Sequence, residues 1–185
     1  MNIIEKIRHH HDNKIYCKVQ RQVAKGIFEK SNGYIVDYSD KFILLQETGD
    51  FEICGYLVFS IETIPNLTLN ASDKYYHKIM VSEGLTDQIN YKHEIDLTSW
   101  ESIFRSIKKL NFNAIIENED PNDSSFDIGI IEKISKTSVD ILSFDSKGYL
   151  DNEPTTIVWK LITIAKFDDR YINTFSKYLR KRKEK

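Results

Sequence analysis

The residues best suited to chemistry stand near the amino terminus, where His9, His10, His11 and Asp12 follow one another. Imidazole and carboxylate groups are metal ligands, and histidine is the side chain most often used as a general base. Neighbouring residues on a helix point about 100° apart, so these side chains do not converge on one ion. The cluster is therefore predicted to be a solvated helix end that holds no metal.

Two further histidines also lack the spacing of a metal site. His93 and Glu94 lack the second histidine that a zinc-binding helix places one turn away. His77 stands beside Lys78 on a predicted helix. Both histidines are expected on the surface.

The chain has one acidic cluster, formed by Glu117, Glu119, Asp120 and Asp123. Carboxylates so close in sequence could bind a cation. However, Pro121-Asn122 within the cluster is typical of a polar loop. We expect a surface loop here, with cation binding as the alternative.

No pattern in the sequence indicates catalysis. Cys17 and Cys54 are far apart, without C-x-x-C spacing, and lie in apolar runs, which predicts two buried free thiols. No G-x-S-x-G, P-loop or dinucleotide glycine pattern occurs. We expect no enzyme, no cofactor and no catalytic or cofactor-binding residue, although a catalytic group assembled from distant residues stays an alternative.

The carboxyl-terminal tail is the most basic stretch. Arg180, Lys181, Arg182 and Lys183 could contact the phosphates of a nucleic acid or an acidic partner. The alternative is a frayed helix end in which the positive charges complement the helix dipole.

The charge balance limits the possible partners. The formal net charge is -2 at pH 7, so no global positive field attracts nucleic acid or an anionic membrane. The amino terminus lacks a secretory pattern, and nowhere do about 18 apolar residues follow one another. We therefore expect a soluble cytoplasmic protein with no membrane partner.

The secondary-structure elements that position these residues are predicted most clearly between Gly33 and Ile64. Tyr34–Tyr38, Phe42–Gln46 and Tyr56–Ile61 are predicted strands, and Ser31-Asn32-Gly33 is a predicted hairpin turn. Ile3, Ile4 and Ile7 predict a short helix before them, and Ser72 is predicted to cap a helix after them.

A second set of elements follows the connector 83–97. Thr98-Ser99-Trp100-Glu101 matches a capping box, and it opens a helix with an apolar stripe from Trp100 to Leu110. A strand follows at Phe112–Ile116, and a final helix is predicted to place Tyr171, Phe175 and Tyr178 on one face.

The second set repeats the order of the first, which predicts an internal duplication. The helices and first strands match at a shift of 97 residues, and Gly33 matches Gly129 at a shift of 96. Val58 and Phe59 match Val158 and Trp159 at a shift of 100.

The repeated unit resembles the Sm-like (LSM) small barrels. The residues that carry the resemblance are Gly33–Val36, Phe42–Leu45 and Val58–Ile64, with Gly129–Ile131, Val139–Leu142 and Val158–Ile164 in the second copy. The resemblance implies a mainly β protein with flanking helices (α+β), made of two tandem Sm-like small antiparallel barrels. Each barrel would have an N-terminal and a C-terminal helix, with residues 1–82 as the first repeat, 83–97 as the connector and 98–185 as the second repeat.

The chain departs from the family where RNA would be bound. RNA-binding Sm-like proteins share an Asp and an Asn around the turn between strands two and three, and an Arg-Gly pair near the last turn. Here the turns read Asp37–Phe42 and Ile134–Ser138, without that Asn. Ser60-Ile61 and Lys160-Leu161 stand in place of the Arg-Gly pair. No RNA-binding residue is carried over from the resemblance.

These observations predict a non-catalytic binding module built from two barrels, with a protein partner or self-association as its role. The alternative is binding of RNA or single-stranded nucleic acid through the basic tail and exposed aromatic residues. An enzyme acting on a small molecule is the third alternative.

Overall fold

Ten antiparallel strands form one continuous sheet in the order β5-β1-β2-β3-β4-β10-β6-β7-β8-β9. The computed structural model describes residues 2–92 and 94–182. The strands are β1 Cys17–Ala24, β2 Ile27–Tyr38, β3 Phe42–Gly49, β4 Glu52–Ser60, β5 Asn66–Thr68, β6 Ala114–Asn118, β7 Ser125–Ile134, β8 Ser138–Ser143, β9 Thr155–Val158 and β10 Ile164–Phe167.

Four helices accompany the sheet: α1 Ile3–Asp12, α2 Ala71–Ser82, α3 Trp100–Lys109 and α4 Arg170–Phe175. Asn70 caps α2, not Ser72, and Ser99 caps α3 in place of the predicted Thr98. Short 3₁₀ turns precede β5 and β10, at Ile61–Thr63 and Trp159–Leu161. Within residues 2–92 and 94–182, no helix is long and apolar enough to cross a membrane.

The sheet consists of two halves with the same strand order. We call β1–β5 with α1 and α2 the first half, and β6–β10 with α3 and α4 the second half. In each half the fifth strand pairs with the first strand, and the other four form a meander. The halves join where β4 pairs with β10, with Val58 opposite Ala165.

The prediction of two closed barrels, each flanked by helices, is wrong. Closure would need the fourth and fifth strands of one half to pair, but β4 pairs with β10 of the other half instead. The ring of Tyr56 on β4 stacks on Phe167 of β10 at 5.2 Å, which adds apolar contact to this junction. The sheet is therefore open, and β5 and β9 are its edges. The division of the chain at residues 82 and 98 stays a prediction.

Two glycines explain part of the similarity between the halves. A Cβ on Gly33 would lie 2.0 Å from the carbonyl oxygen of Gln46, and one on Gly129 would lie 2.2 Å from that of Leu142. A register shift follows each glycine on the same strand, after Ile35 and after Ile131. Each glycine therefore allows the next strand to approach closely.

Two local predictions are corrected by the strand registers. Asn32-Gly33 lies inside β2, and the hairpin turn lies at Gly26, whose φ of +75° suits a tight turn. Because Ile43 faces Phe59 and Val139 faces Ile157, β4 matches β9 at a shift of 98 residues rather than 100.

The largest apolar core lies between the sheet and residues from α2, the connector and α3. Ile89, Ile95 and Leu97 of the connector are buried in it, so the connector is part of the packed structure. Ile103, Phe104 and Ile107 of α3 are fully buried, as the apolar stripe predicts. A second core lies between α1 and the first half of the sheet.

Candidate functional site

A groove of about 610 Å³ lies between the two halves. Four loop regions form it: the end of β1, the turn between β2 and β3, and both 3₁₀ turns, together with the start of α3. The lining residues are Gln22, Val23, Asp40, Lys41, Phe42, Ser60, Glu62, Thr63, Trp100, Trp159, Lys160, Ile162 and Thr163.

A row of aromatic rings runs beneath the groove from one half to the other. Phe42 contacts Trp100 edge-on at 4.9 Å between ring centroids, and Trp100 lies 6.0 Å from Phe104. Phe104 stacks on Trp159 at 5.6 Å with 12° between the ring planes. The indole N–H of Trp159 donates to the carbonyl oxygen of Lys136 at 2.9 Å, which fixes the ring. The row gives the groove a rigid apolar floor.

The turn that carries Lys41 is held by one serine. The Oγ of Ser39 accepts hydrogen bonds from the backbone N–H groups of Lys41 and Phe42, each at 3.0 Å. It also donates to the carbonyl oxygen of Leu97 at 2.8 Å, so the turn is fixed to the connector. Ser135 makes the same turn in the second half, accepting from Thr137 and Ser138. Because each serine bonds to backbone groups two and three residues further along the chain, a turn of this kind can be recognised from the sequence.

Four exposed charged residues surround the groove: Asp40, Lys41, Glu62 and Lys160. Two are acidic and two are basic, so their formal charges cancel. A groove with this rim does not produce the positive field that concentrates a polyanion. Its basic residues can pair with a negative group of a ligand, and its acidic residues can pair with a positive group of the same ligand.

A buried ion pair lies behind the groove. The guanidinium of Arg21 donates to both carboxylate oxygens of Glu119, and Thr163, a lining residue, donates to Glu119 Oε2 at 2.8 Å. Burial raises the pKa of Glu119, but the hydrogen bonds and charge of Arg21 outweigh burial and hold the pKa below its ordinary value. The pair fixes Thr163 at the groove wall.

The predicted acidic loop is therefore only partly a loop. Glu117 lies on β6 and pairs with Lys166 at 2.8 Å, and Glu119 pairs with Arg21. Glu119, Asp120 and Asp123 lie in the connection that follows β6. In the part of the chain that the structure describes, no three His, Cys, Asp or Glu side chains lie together as metal ligands would.

The basic tail is placed against the second half. The predicted final helix ends at Phe175, so Tyr178 and the tail are not on it. Arg180 lies over the ring of Tyr149 at 4.2 Å and donates to the carbonyl oxygen of Lys147.

Arg182 pairs with Asp145 at 3.3 Å and with Asp151 at 3.4 Å. Lys181 is exposed, and Lys183 lies outside the described residues. Two of the four predicted contact residues are therefore already engaged within the chain.

The histidines differ from their predicted surroundings. His10 is only 7% exposed, and burial lowers its pKa, so the helix end is not solvated at this position. His77 is half-buried rather than on the surface, and its Nδ1 lies 2.9 Å from the hydroxyl of Tyr34. His93 lies outside the described residues. Both cysteines are free thiols; Cys17 is buried as predicted, whereas Cys54 is only half-buried.

Comparisons with known proteins give the chain no family. No protein-family model matches it. No curated protein and no solved structure matches it either. The geometry of the groove is therefore the basis of the functional proposal.

Proposed function

We propose that this chain is a non-catalytic protein-interaction module whose groove binds an extended segment of a partner protein. The segment has an apolar residue that contacts Trp100 and Trp159, flanked by charged residues of both signs. The observation that carries the proposal is the combination of an aromatic floor with a rim of cancelling charges. The few residues that provide most of the binding energy at protein interfaces are enriched in tryptophan and tyrosine, while rim charges orient the partner.

The same observation argues against nucleic acid as the ligand of the groove. Single-stranded nucleic acid needs a positive surface as well as aromatic rings. The rim has no net charge, and Arg180 and Arg182 of the tail are bound to carbonyl or carboxylate groups of the second half. RNA binding through Lys181 and the exposed aromatic residues stays the alternative prediction.

The origin of the module is a second part of the proposal. We propose that the halves arose by duplication of a unit related to the Sm-like family. Support comes from Gly33 and Gly129, which allow the same close strand approach, and from Ser39 and Ser135, which make the same turn. The strand order of the halves is also the same.

The two tryptophans make the proposal measurable. They are the only tryptophans of the chain, and both line the groove, so intrinsic fluorescence reports on this site. Random peptides displayed on phage would be selected on the full chain and then synthesised. The expected binders share an apolar anchor with charged neighbours, and they change the tryptophan emission with the same dissociation constant that calorimetry gives.

Charge variants at the rim provide the control. Lys41→Glu with Lys160→Glu changes two exposed side chains and is expected to weaken binding of an acidic-flanked peptide at least about tenfold. Lys78→Glu, on α2 and outside the groove, is expected to leave affinity unchanged. Peptides that bind the double variant equally well, or that leave the tryptophan emission unchanged, would refute the proposal. Tight binding of a mixed-sequence RNA that changes the emission and weakens steeply with salt would also refute it.

A further inference from the structure

The loop between β8 and β9 forms a surface on which the basic tail lies. The loop keeps its shape through its own hydrogen bonds, because the carboxylate of Asp145 accepts from the backbone N–H groups of Lys147 at 2.9 Å and Tyr149 at 3.0 Å. The N–H of Gly148 donates to the carbonyl oxygen of Asp145 at 2.8 Å. None of these bonds involves the tail, so the surface is formed before any segment binds to it.

Two arginines at alternate positions hold the tail on this surface. Arg180 lies over the ring of Tyr149 at 4.2 Å, and Arg182 reaches the same ring at 5.9 Å. The backbone N–H of Arg180 donates to the carbonyl oxygen of Gly148, and its carbonyl oxygen accepts from the N–H of Leu150. Residues i and i+2 of an extended segment lie on the same side. The surface therefore matches an Arg-x-Arg segment.

The contacts suit arginine rather than positive charge in general. Two nitrogens of the Arg180 guanidinium donate to one carbonyl oxygen while its plane lies over a ring, and a lysine ammonium cannot do both. The side chain of Lys181, between the two arginines, is exposed. Arg182 is itself 44% exposed, and ion pairs between exposed groups contribute little. The tail is therefore held weakly enough to be exchanged for another segment.

A cavity of about 360 Å³ adjoins the acidic end of this surface, where Arg182 pairs with Asp145 and Asp151. Both carboxylates line the cavity together with Asp127, and the exposed rings of Phe126 and Tyr171 complete its walls. None of the described lining residues is basic, and none belongs to the tail. The cavity therefore has the negative charge and the aromatic surface that a guanidinium group requires.

Asp127 is the carboxylate that the tail leaves without a positive partner. Its side chain is half-buried, and burial raises its pKa, with no cation among residues 2–92 and 94–182 that offsets the effect. A cationic group of a ligand would supply the missing charge. In the sequence, the residue two positions after Arg182 is Glu184, whose charge has the wrong sign for this cavity. The tail therefore matches only part of the surface.

We infer that this surface is the docking site for a segment of a partner protein with arginine at three alternate positions. The first two arginines take the places of Arg180 and Arg182. The third enters the cavity, where it pairs with Asp127 and contacts the rings of Phe126 and Tyr171. The tail is an internal competitor that covers the first two positions until such a segment displaces it. The surface shares no residue with the groove and does not depend on the function proposed for the groove.

Fluorescence anisotropy with a labelled peptide that contains Arg-Ser-Arg-Ser-Arg tests the inference on the full chain. Arg180→Ala with Arg182→Ala, which we call the tail variant, frees the surface. It is expected to bind the peptide at least about tenfold more tightly than the wild type, because the tail no longer competes. Lys177→Ala with Lys181→Ala removes the same charge but keeps both arginines, so it is expected to bind as the wild type does.

The third arginine is tested by changing the peptide and the cavity together. Replacing that arginine with glutamate is expected to weaken binding to the tail variant at least about tenfold. Adding Asp127→Asn to the tail variant is expected to reduce this difference at least about threefold. Asp123→Asn, in the connection after β6, removes the same charge outside the cavity and is expected to leave the difference unchanged.

The inference is overturned if the tail variant binds the peptide no more tightly than the wild type does. It is also overturned if a peptide with lysine at all three positions binds as tightly as the arginine peptide, since simple charge attraction would then explain the binding. An effect of the third arginine that is the same with and without Asp127→Asn would show that the cavity is not its site.

Discussion

Arg21 and Glu119 join the two halves of the sheet through two parallel hydrogen bonds, one of them 2.8 Å from Nη2 to Oε1. Arg21 is 3% exposed, and its Nε also donates to Ser31 Oγ at 3.0 Å. A planar guanidinium matches a carboxylate in this way, and a lysine would not. The pair therefore fixes the relative position of the halves, and the groove lies between them.

Removing one member of this pair leaves a buried charge without its partner. Glu119→Gln is expected to lower the free energy of unfolding by roughly 3 kcal/mol, near the low end for such pairs because the carboxylate keeps some exposure. Urea denaturation measures the change. Glu101→Gln breaks the exposed pair with Arg105 and is the matched control, with an expected change below about 0.5 kcal/mol. Equal stability of the two variants would contradict the prediction.

The Arg21–Glu119 pair makes the stability of the protein depend on pH, and the direction of this dependence follows from the pKa of Glu119. Burial raises the pKa of Glu119, but the hydrogen bonds and charge of Arg21 outweigh it, so the folded pKa lies below the unfolded value near 4.5. The stabilisation is therefore complete well above pH 4.5 and is lost as the pH falls through the folded pKa. The stability difference between wild type and Glu119→Gln is expected to shrink below about pH 4.5. A difference that is constant or grows on acidification would contradict this.

The glycines that open the second strand of each half are expected to be intolerant of alanine. Gly33→Ala and Gly129→Ala each place a Cβ close to a backbone carbonyl, so each is expected to cost at least about 3 kcal/mol. Gly26→Ala meets no atom within 4 Å but adopts a φ of +75°, so its expected cost is only about 1–2 kcal/mol. Urea denaturation of the three variants measures the free energy of unfolding and so ranks the three costs. Equal costs at Gly26 and Gly33 would show that the close strand approach is not the cause.

The two edges of the sheet are protected against further pairing. By strand register, Pro154 of the second half corresponds to Tyr56 of the first half, and Tyr56 pairs with β10. Proline has no N–H to donate, so it cannot make the same pairing. On β5, the N–H of Leu67 donates to Oδ1 of its neighbour Asn66 at 2.9 Å. If β5 of one molecule paired with β9 of another in the way that β10 pairs with β4, two N–H donors would be missing. Pro154 has no N–H, and the N–H of Leu67 is already bonded to Asn66.

Restoring both donors is expected to promote self-association. Pro154→Thr with Asn66→Ala frees two hydrogen-bond donors, each contributing about 0.5–1.5 kcal/mol, so association is expected to tighten roughly tenfold. Sedimentation velocity over a range of concentrations measures it. Pro121→Thr with Asn122→Ala makes the same changes in an exposed loop and is expected to have no effect. Association of the control to the same extent would exclude an edge mechanism.

The sequence predicts the local elements of this fold well, because their signals are local. Phe42–Gln46 falls within β3, the helix that starts at Trp100 is α3, and Gly33 and Gly129 occupy equivalent positions. The final helix is predicted too long, because Arg180 pairs its backbone with the loop at Gly148 rather than continuing the helix.

The junction and the groove are not predictable in the same way. The pairing of Val58 with Ala165 depends on contacts between segments 107 residues apart, and alternation in either strand does not reveal its partner. Trp159 reads as a strand residue, but it begins a 3₁₀ turn whose ring stacks on Phe104 of α3. The rim charges come from loops of both halves, so only the assembled sheet brings them together.

The place of β10 in the sheet has a consequence for synthesis on the ribosome. The apolar strand β4, with Leu57, Val58 and Phe59, has its free edge covered only when residues 164–167 have been made. At about 5–20 residues per second, the nascent first half shows an unpaired apolar edge for roughly 5–20 s. During this interval a neighbouring nascent chain could pair with that edge. The growing polypeptide is therefore most prone to misassembly before β10 emerges.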